Sequence, residues 1–348
     1  MSHLTYGEAG IIGLIQGVTE LFPVSSLGHA ILIPALVGGQ WATDLSVSGS
    51  KSAYLAFIVG LHVATAIAMI IFFWRDWVRI IVAFFASVRH VVAPEPGTRR
   101  WEPQNTDQKL AWLLILGTIP VGIAGVALQH VFTDVFSKPK LVAIFLFVNG
   151  LILLGGERMR RRGAQAEADQ ITADQVAAER QRATVGAGAR GPVGGGRHSS
   201  GQRAQRHEQA SMALESGRRL VGVGYLGGFL LGASQVLALL PGISRDGIVM
   251  VSGMFRGLTR QDAARFSFLL SAPVIFAAGV FKLHDLTGPL GAGIRDQVLF
   301  GSVLSGIGAY LALRFLVRYL SNASRTLTPF AIYCLAAGLG SAIYLFAK

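Results

Sequence analysis

The sequence predicts an all-α integral membrane protein, an inverted repeat in which each half holds one re-entrant helix hairpin and three transmembrane helices. Three observations predict this arrangement of six full spans and two re-entrant hairpins. Of the 348 residues, 14% are charged and 52% hydrophobic, whereas a soluble domain carries about 25% charged residues. Six stretches free of Asp, Glu, Lys and Arg approach the roughly 20 residues needed to cross a hydrocarbon core. Two further apolar stretches, each broken by proline and glycine, resemble one another.

In chain order, the first broken stretch runs from Ala9 to Thr43 and contains QGVTELFPVSSLGHAIL. Residues 1–8 carry no Lys or Arg and no A-x-A site follows, so the N-terminus does not read as a cleaved signal peptide. Spans are expected at 54–74, 110–133 and 141–156, the shortest lengthened by flanking Lys or Arg that snorkel. The second broken stretch, Leu220 to Phe255, contains SQVLALLPGISRDGIVM. Spans are expected after it at 266–281, 297–313 and 326–347.

Gln16 precedes Pro23 by seven residues and Gln235 precedes Pro241 by six, while Ser26 and Ser244 each follow their proline by three. The chain thus divides into a first membrane repeat, 1–156, and a second, 219–348. Residues 157–218 hold eleven Arg against seven Asp and Glu, with a tract GAGARGPVGGGRHSSGQR whose only large apolar residue is Val193. Such a composition buries too little surface to offset chain entropy. It reads as a polar, disordered linker with some helix around 164–183, and as a solvated loop rather than a nucleic-acid binder.

Loops assigned to one side of the membrane hold 24 Lys and Arg and those on the other side hold 6, with Arg245 inside the membrane. The basic side, which includes the linker, is the cytoplasm. The first broken stretch then enters and leaves from outside, and the second from the cytoplasm. Two hairpins of opposite orientation meet near the midplane, where irregular backbone is tolerated only if it is buried in protein or lines a wet cavity.

Across these apolar stretches the only charged side chains are Glu20, Arg245 and Asp246, all in the two breaks. An ionisable group at bilayer depth costs about 2.5–3.5 kcal/mol or more, so clustering at both breaks points to a site. Ser25, Ser26 and His29 follow Glu20 within nine residues, an arrangement suited to nucleophile and base chemistry if a helix starts near His29. The serines could equally cap that helix. In the second break Gly242 and Gly247 permit close backbone approach, Ser244 is a donor, and Arg245 is a planar fork suited to phosphate oxygens. Amides at the next helix N-terminus would add to an anion site. With Glu20 and Asp246 ionised, Arg245 leaves one net negative charge, so a pyrophosphate needs a divalent cation such as Mg2+ or Ca2+, or extra protons. His62, in an apolar span, reads as a hydrogen-bonded core residue, with a place facing the pocket as the alternative. The single cysteine, Cys334, excludes a disulfide, a multi-cysteine zinc site and a CxxC pair. No P-loop, GxGxxG or HExxH string occurs.

The two breaks resemble the signature segments of the bacterial undecaprenyl-diphosphatase family, the bacitracin-resistance type of membrane phosphatase. That family carries an (E/Q)xxxE segment running into PVSSxGH, here Gln16 to His29, and a PGxSRSxxT segment, here PGISRDGIV from Pro241 to Val249. The resemblance covers both membrane halves and leaves the linker unmatched. It implies that Glu20 is the acidic catalytic or metal-linked residue, Ser26 the nucleophile, His29 a proton-transfer partner and Arg245 the diphosphate clamp. It also implies hydrolysis of undecaprenyl diphosphate to undecaprenyl phosphate and inorganic phosphate, in the bacterial plasma membrane. A cavity open to the outer face and a homodimer are further implications.

Three departures mark this chain: Gln16 takes the permitted amide at the first acidic position, Asp246 replaces Ser, and Val249 replaces Thr. Asp246 is therefore expected to cross the midplane and supply the carboxylate that Gln16 lacks, so that Glu20 and Asp246 become the metal candidates. Two other readings compete with the phosphatase: a transporter or translocator of a phosphorylated polyprenyl lipid, which would not need Ser26, and an interaction protein using the linker.

Overall fold

The computed structural model describes residues 4–46, 52–93, 100, 102–128, 138–185, 220, 222–288, 293–322 and 324–348. Among them are twelve α-helices and no strand. In the first half these are α1 (Tyr6–Leu21), α2 (Ser26–Val37), α3 (Gly39–Asp44), α4 (Ala53–Phe72), α5 (Trp74–Val92), α6 (Thr106–Ala127) and α7 (Pro139–Val185). In the second half they are α8 (Gly224–Ser234), which runs into a 3₁₀ turn at Gln235–Leu239, then α9 (Arg245–Phe255), α10 (Arg260–Thr287), α11 (Arg295–Ser321) and α12 (Thr328–Ala347).

Six of them, α4, α6, α7 over Pro139–Gly163, α10 over Arg260–Val280, α11 and α12, are long and apolar enough to cross a membrane. They fall one for one on the six expected spans. Large apolar side chains such as Leu299, Val303, Ile307, Ile332, Leu339 and Ile343 stand exposed along α11 and α12. In water such a surface would drive association; against lipid tails it is at home. The protein is a multi-pass membrane protein.

Local sequence sets the helix ends. Thr5 and Glu8 form a capping box at the start of α1, and Ser52 and Asn105 cap α4 and α6 with their side-chain oxygens. α1 stops where Phe22 turns extended, as a residue before proline tends to. Residues 75–109, taken from sequence as a loop between spans, instead carry α5. Its apolar residues Val78, Ile81, Val82 and Phe85 recur at helical spacing and are exposed. Asp76 ties the helix to α10 by accepting from Arg265 at 2.8 Å, and also accepts from Arg79 of its own helix at 2.5 Å.

α7 does not end at residue 156, where the sequence places the edge of the first half, but continues as helix to Val185. Just beyond that edge, buried Glu157 accepts from the Arg260 guanidinium and from the Leu327 amide. α7 is thereby joined to the starts of α10 and α12. Residues 186–218 of the expected linker lie outside the described residues.

The packing is reciprocal. α1, from the first half, lies against α11; α8, from the second, lies against α6; α7 pairs with α12 and α4 with α10. The two cross-half contacts at the breaks depend on small residues, as close helix packing in membranes does. Gly17 sits so close to the Ser305 carbonyl, and Gly232 so close to the Gly117 carbonyl, that neither position has room for a Cβ.

Candidate active site

The two breaks meet. Glu20 occupies the last turn of α1, and its carboxylate Oε1 accepts from Arg245 Nη2 at 2.6 Å. Its Oε2 accepts from the Ser26 hydroxyl and from Gln16 Nε2, the latter at 2.8 Å. Both Glu20 and Ser26 are 7% exposed, so this carboxylate is desolvated but surrounded by donors, the condition under which a buried charge is tolerated.

Ser26 reaches Glu20 because of the residue before it. Ser25 has φ of 66°, the left-handed region that a side chain rarely adopts. Its Oγ accepts from the Gly28 amide at 3.3 Å, capping α2, and from the Gly242 amide at 3.1 Å, in the opposite break. Strain of about 1–3 kcal/mol at such a residue persists only where surrounding contacts fix it, and these two bonds are such contacts. Gly242 itself, at φ of 107°, lies against α7 with no room for a side chain: a Cβ would come 2.6 Å from the Val142 carbonyl.

Asn149 on α7 fastens both breaks from behind. Fully buried, it donates from Nδ2 to the Pro23 carbonyl at 2.9 Å and accepts at Oδ1 from the Ser244 amide at 3.0 Å. The same Nδ2 lies 3.3 Å from Cys334 Sγ, which in turn is 3.9 Å from the Pro23 carbonyl. Ser244 caps α9 by accepting from the Gly247 amide at 3.1 Å. α2 therefore begins at Ser26 and α9 at Arg245, so two helix N-termini, each carrying roughly half a positive charge, converge from opposite halves.

These residues line a cleft of about 310 Å³ that includes Glu20, Ser25, Ser26, His62, Ser244 and Arg245, walled by apolar side chains such as Ile58, Val121 and Val274. That volume lies at the lower end of small-molecule sites, which begin at roughly 300 Å³. Three polar atoms here are buried without a partner: Arg245 Nε, Gln16 Oε1 and Gln235 Oε1. An orphaned buried group costs about 1–3 kcal/mol, and an orphaned guanidinium N–H suits an anion.

His62 belongs to this cluster, not to an inert core. Its Nδ1 faces the Ile58 carbonyl at 2.8 Å, which only accepts, so that nitrogen carries a proton. Its Nε2 lies 3.1 Å from Gln16 Nε2 and 3.3 Å from Glu20 Oε2. Gln16 thus uses one amide nitrogen to tether both the carboxylate and the imidazole. A lone histidine in an apolar span was the signal for this role. Asn149, which sequence reading passed over, gives no local signal because its partners lie 95 and 126 residues away.

Two expectations need correction. His29 does not meet Ser26: α2 starts at Ser26 rather than near His29, and the imidazole folds back, with Nδ1 on the Ser25 carbonyl and Nε2 on the Tyr333 hydroxyl, both at 2.7 Å. Asp246 does not meet Gln16. Buried in the first turn of α9, it accepts from the hydroxyls of Ser267 and Ser271 on α10, each at 2.7 Å, and is not among the residues lining the cleft. Glu20 and Asp246 therefore do not converge on one ion, and no group of three His, Cys, Asp or Glu side chains that could hold a metal occurs among the described residues. The residues present do not fit a divalent cation held by this pair.

A family model described as "Bacitracin resistance protein BacA" matches residues 9–179 and 203–340. The protein named "Undecaprenyl-diphosphatase" from Mycolicibacterium paratuberculosis is 51% identical over 344 residues, covering 99% of this chain and 98% of that one. "Undecaprenyl-diphosphatase 2" from Frankia alni is 49% identical with 97% of each chain covered. Its namesake from Burkholderia thailandensis is 35% identical, with 94% and 92% covered.

Proposed function

Because the chain belongs to the bacitracin resistance protein BacA family, we infer that it is an undecaprenyl-diphosphatase. It hydrolyses undecaprenyl diphosphate to undecaprenyl phosphate and inorganic phosphate, returning the carrier lipid to cell-wall synthesis.

The terminal phosphoryl group binds between the N-termini of α2 and α9, where helix dipoles and the Arg245 fork neutralise its charge. Its oxygens take over Arg245, whose Nε has no partner among the described residues. That exchange frees Glu20 Oε1, and the carboxylate accepts the Ser26 proton through Oε2, to which the hydroxyl already donates. Ser26 Oγ attacks the terminal phosphorus, the bond to the bridging oxygen breaks, and the proton held by Glu20 passes to the departing lipid phosphate. Water, oriented by Glu20 and His62, then cleaves the phosphoserine, releasing inorganic phosphate and restoring the serine proton. Gln16 holds Glu20 and His62 in register, His29 supports the Ser25 carbonyl, and Asp246 anchors α9 to α10.

The topology proposed with this mechanism is the inverted repeat, with α1–α2 and α8–α9 as hairpins entering from opposite leaflets. The reciprocal contacts of α1 with α11 and α8 with α6 support it, as does the Lys and Arg asymmetry of the loops. Residues 157–218 then lie in the cytoplasm of the bacterial cell, and the cleft opens to the outer face.

The observation that carries the reading is one carboxylate shared by a guanidinium and a serine hydroxyl from the two breaks. A lipid translocator would use Arg245 and a cleft but has no need of a hydroxyl seated on a carboxylate. Purified protein in detergent, given a polyprenyl diphosphate, is expected to release phosphate. Release should fall by about a hundredfold or more in Glu20→Ala, Ser26→Ala and Arg245→Ala. Undiminished release in all three would remove this cleft from the reaction.

A further inference from the structure

Away from the Glu20 cleft, the last turns of α11 and the turn after it enclose a second concavity of about 460 Å³. Its polar side is Arg314, Arg318 and Arg325, and its apolar side is Leu311, Phe315 and Tyr319. Arg314 and Arg318 stand one helical turn apart and so share a face. All three arginines are exposed, and none forms an ion pair with a carboxylate among the described residues.

The concavity is held in shape. Asn322 Oδ1 accepts from the amide and hydroxyl of Ser324 at 3.0 and 2.7 Å, and the Arg325 amide donates to the Asn322 carbonyl at 3.0 Å. The Tyr319 hydroxyl donates to the Thr326 carbonyl at 3.0 Å, and the Arg325 guanidinium lies 5.4 Å above the Tyr319 ring. Tyrosine is enriched at membrane interfaces, and at the end of a spanning helix this concavity offers headgroups its guanidinium groups and acyl chains the apolar side chains of Leu311 and Phe315.

Three like charges without counter-ions lack a partner. The α11 C-terminus contributes roughly half a negative charge, which three guanidinium groups exceed. We propose that this concavity binds one anionic phospholipid, its phosphodiester held by Arg314, Arg318 and Arg325 and its acyl chains lying on Leu311 and Phe315. A soluble anion would satisfy the arginines and leave the apolar side unused; a zwitterionic lipid would bring its own cation into the arginine cluster. The site is independent of the hydrolysis reading.

The test uses the full chain in detergent and native mass spectrometry, with phosphatidylglycerol, phosphatidylcholine or glycerol 3-phosphate added. Phosphatidylglycerol should be retained about tenfold more tightly than phosphatidylcholine. The triple exchange R314Q/R318Q/R325Q should lower that retention about tenfold or more, since each arginine near an anionic headgroup adds to the attraction. Should the triple variant fold poorly, Arg318→Gln alone should lower it about threefold. Arg79→Gln, which removes a basic side chain paired with Asp76 on α5, should change nothing. Equal retention of both lipids, unchanged retention in the arginine variants, or full displacement by glycerol 3-phosphate would overturn the proposal.

Discussion

Glu20 and Arg245 lie 225 residues apart in the chain and meet at 2.6 Å. Glu20 lies in the last turn of α1 and Arg245 begins α9, so neither break satisfies its charged residue alone. The pair is a clasp between the two breaks and, in the proposed mechanism, the place where a phosphate enters.

Exchanging members of this pair should separate charge from geometry. Arg245→Lys keeps the cation but loses the fork and the Nε donor, and kcat/KM is expected to fall by about tenfold or more. Arg245→Ala also strands a buried carboxylate, a defect worth about 3–5 kcal/mol in fully buried pairs and less here because the Arg245 side chain is 21% exposed. Adding Glu20→Gln to Arg245→Ala should therefore recover part of the lost Tm while activity stays absent. A double variant no more stable than Arg245→Ala alone would contradict the clasp.

Covalent attack by Ser26 leaves a mark. When the reaction is quenched in acid within the first turnover, mass spectrometry of the peptide spanning Pro23 to His29 should show phosphate on Ser26 in wild type. The mark should be absent in Ser26→Ala. Ser25→Ala should keep the mark but lose about 1 kcal/mol of stability with its cap. Rapid hydrolysis with no phosphoserine at any time point would favour direct attack by water.

His62 should behave as a member of the site. His62→Leu deprives Gln16 of an acceptor and Glu20 of a neighbour, and kcat is expected to fall about tenfold or more, the range of proton-transfer and orienting groups. His62→Gln, which offers Gln16 an acceptor in a similar place, should retain more activity than His62→Leu. Equal kinetics for wild type and His62→Leu would return the residue to the core.

Asn149→Leu should act on stability first. The substitution leaves the Ser244 amide buried without its partner, at about 1–3 kcal/mol, and the Pro23 carbonyl with only the long contact from Cys334 Sγ. A fall in Tm of several degrees is expected, with kcat falling because both breaks lose their common anchor. A variant as stable as wild type would show that water takes over both groups.

The spans were legible because an uncharged run of bilayer length is soluble almost nowhere but in lipid, and the breaks because proline, glycine and ionised groups interrupt such runs. α5 was missed as a helix because its arginines made a loop of it, although its apolar spacing was already helical. Glu20, Ser26 and Arg245 stood out by charge and motif. His29 is placed by its proximity to Ser26 along the chain and Asp246 by the carboxylate missing at Gln16, and neither argument fixes where a side chain turns once Tyr333 or a pair of serines on another helix offers a partner. His62 offers only the weak signal of a histidine in an apolar span, and Asn149 depends wholly on contacts between distant segments, which no local pattern reports.

Cys334 is the chain's only thiol, and it lies buried against the Pro23 carbonyl and Asn149. A small alkylating reagent reaches it only when the packing of α12 against α7 and the first break opens. The rate of labelling therefore clocks that opening on the native chain, with no engineered probe and no background from other cysteines, and substrate that pins the first break should slow the clock.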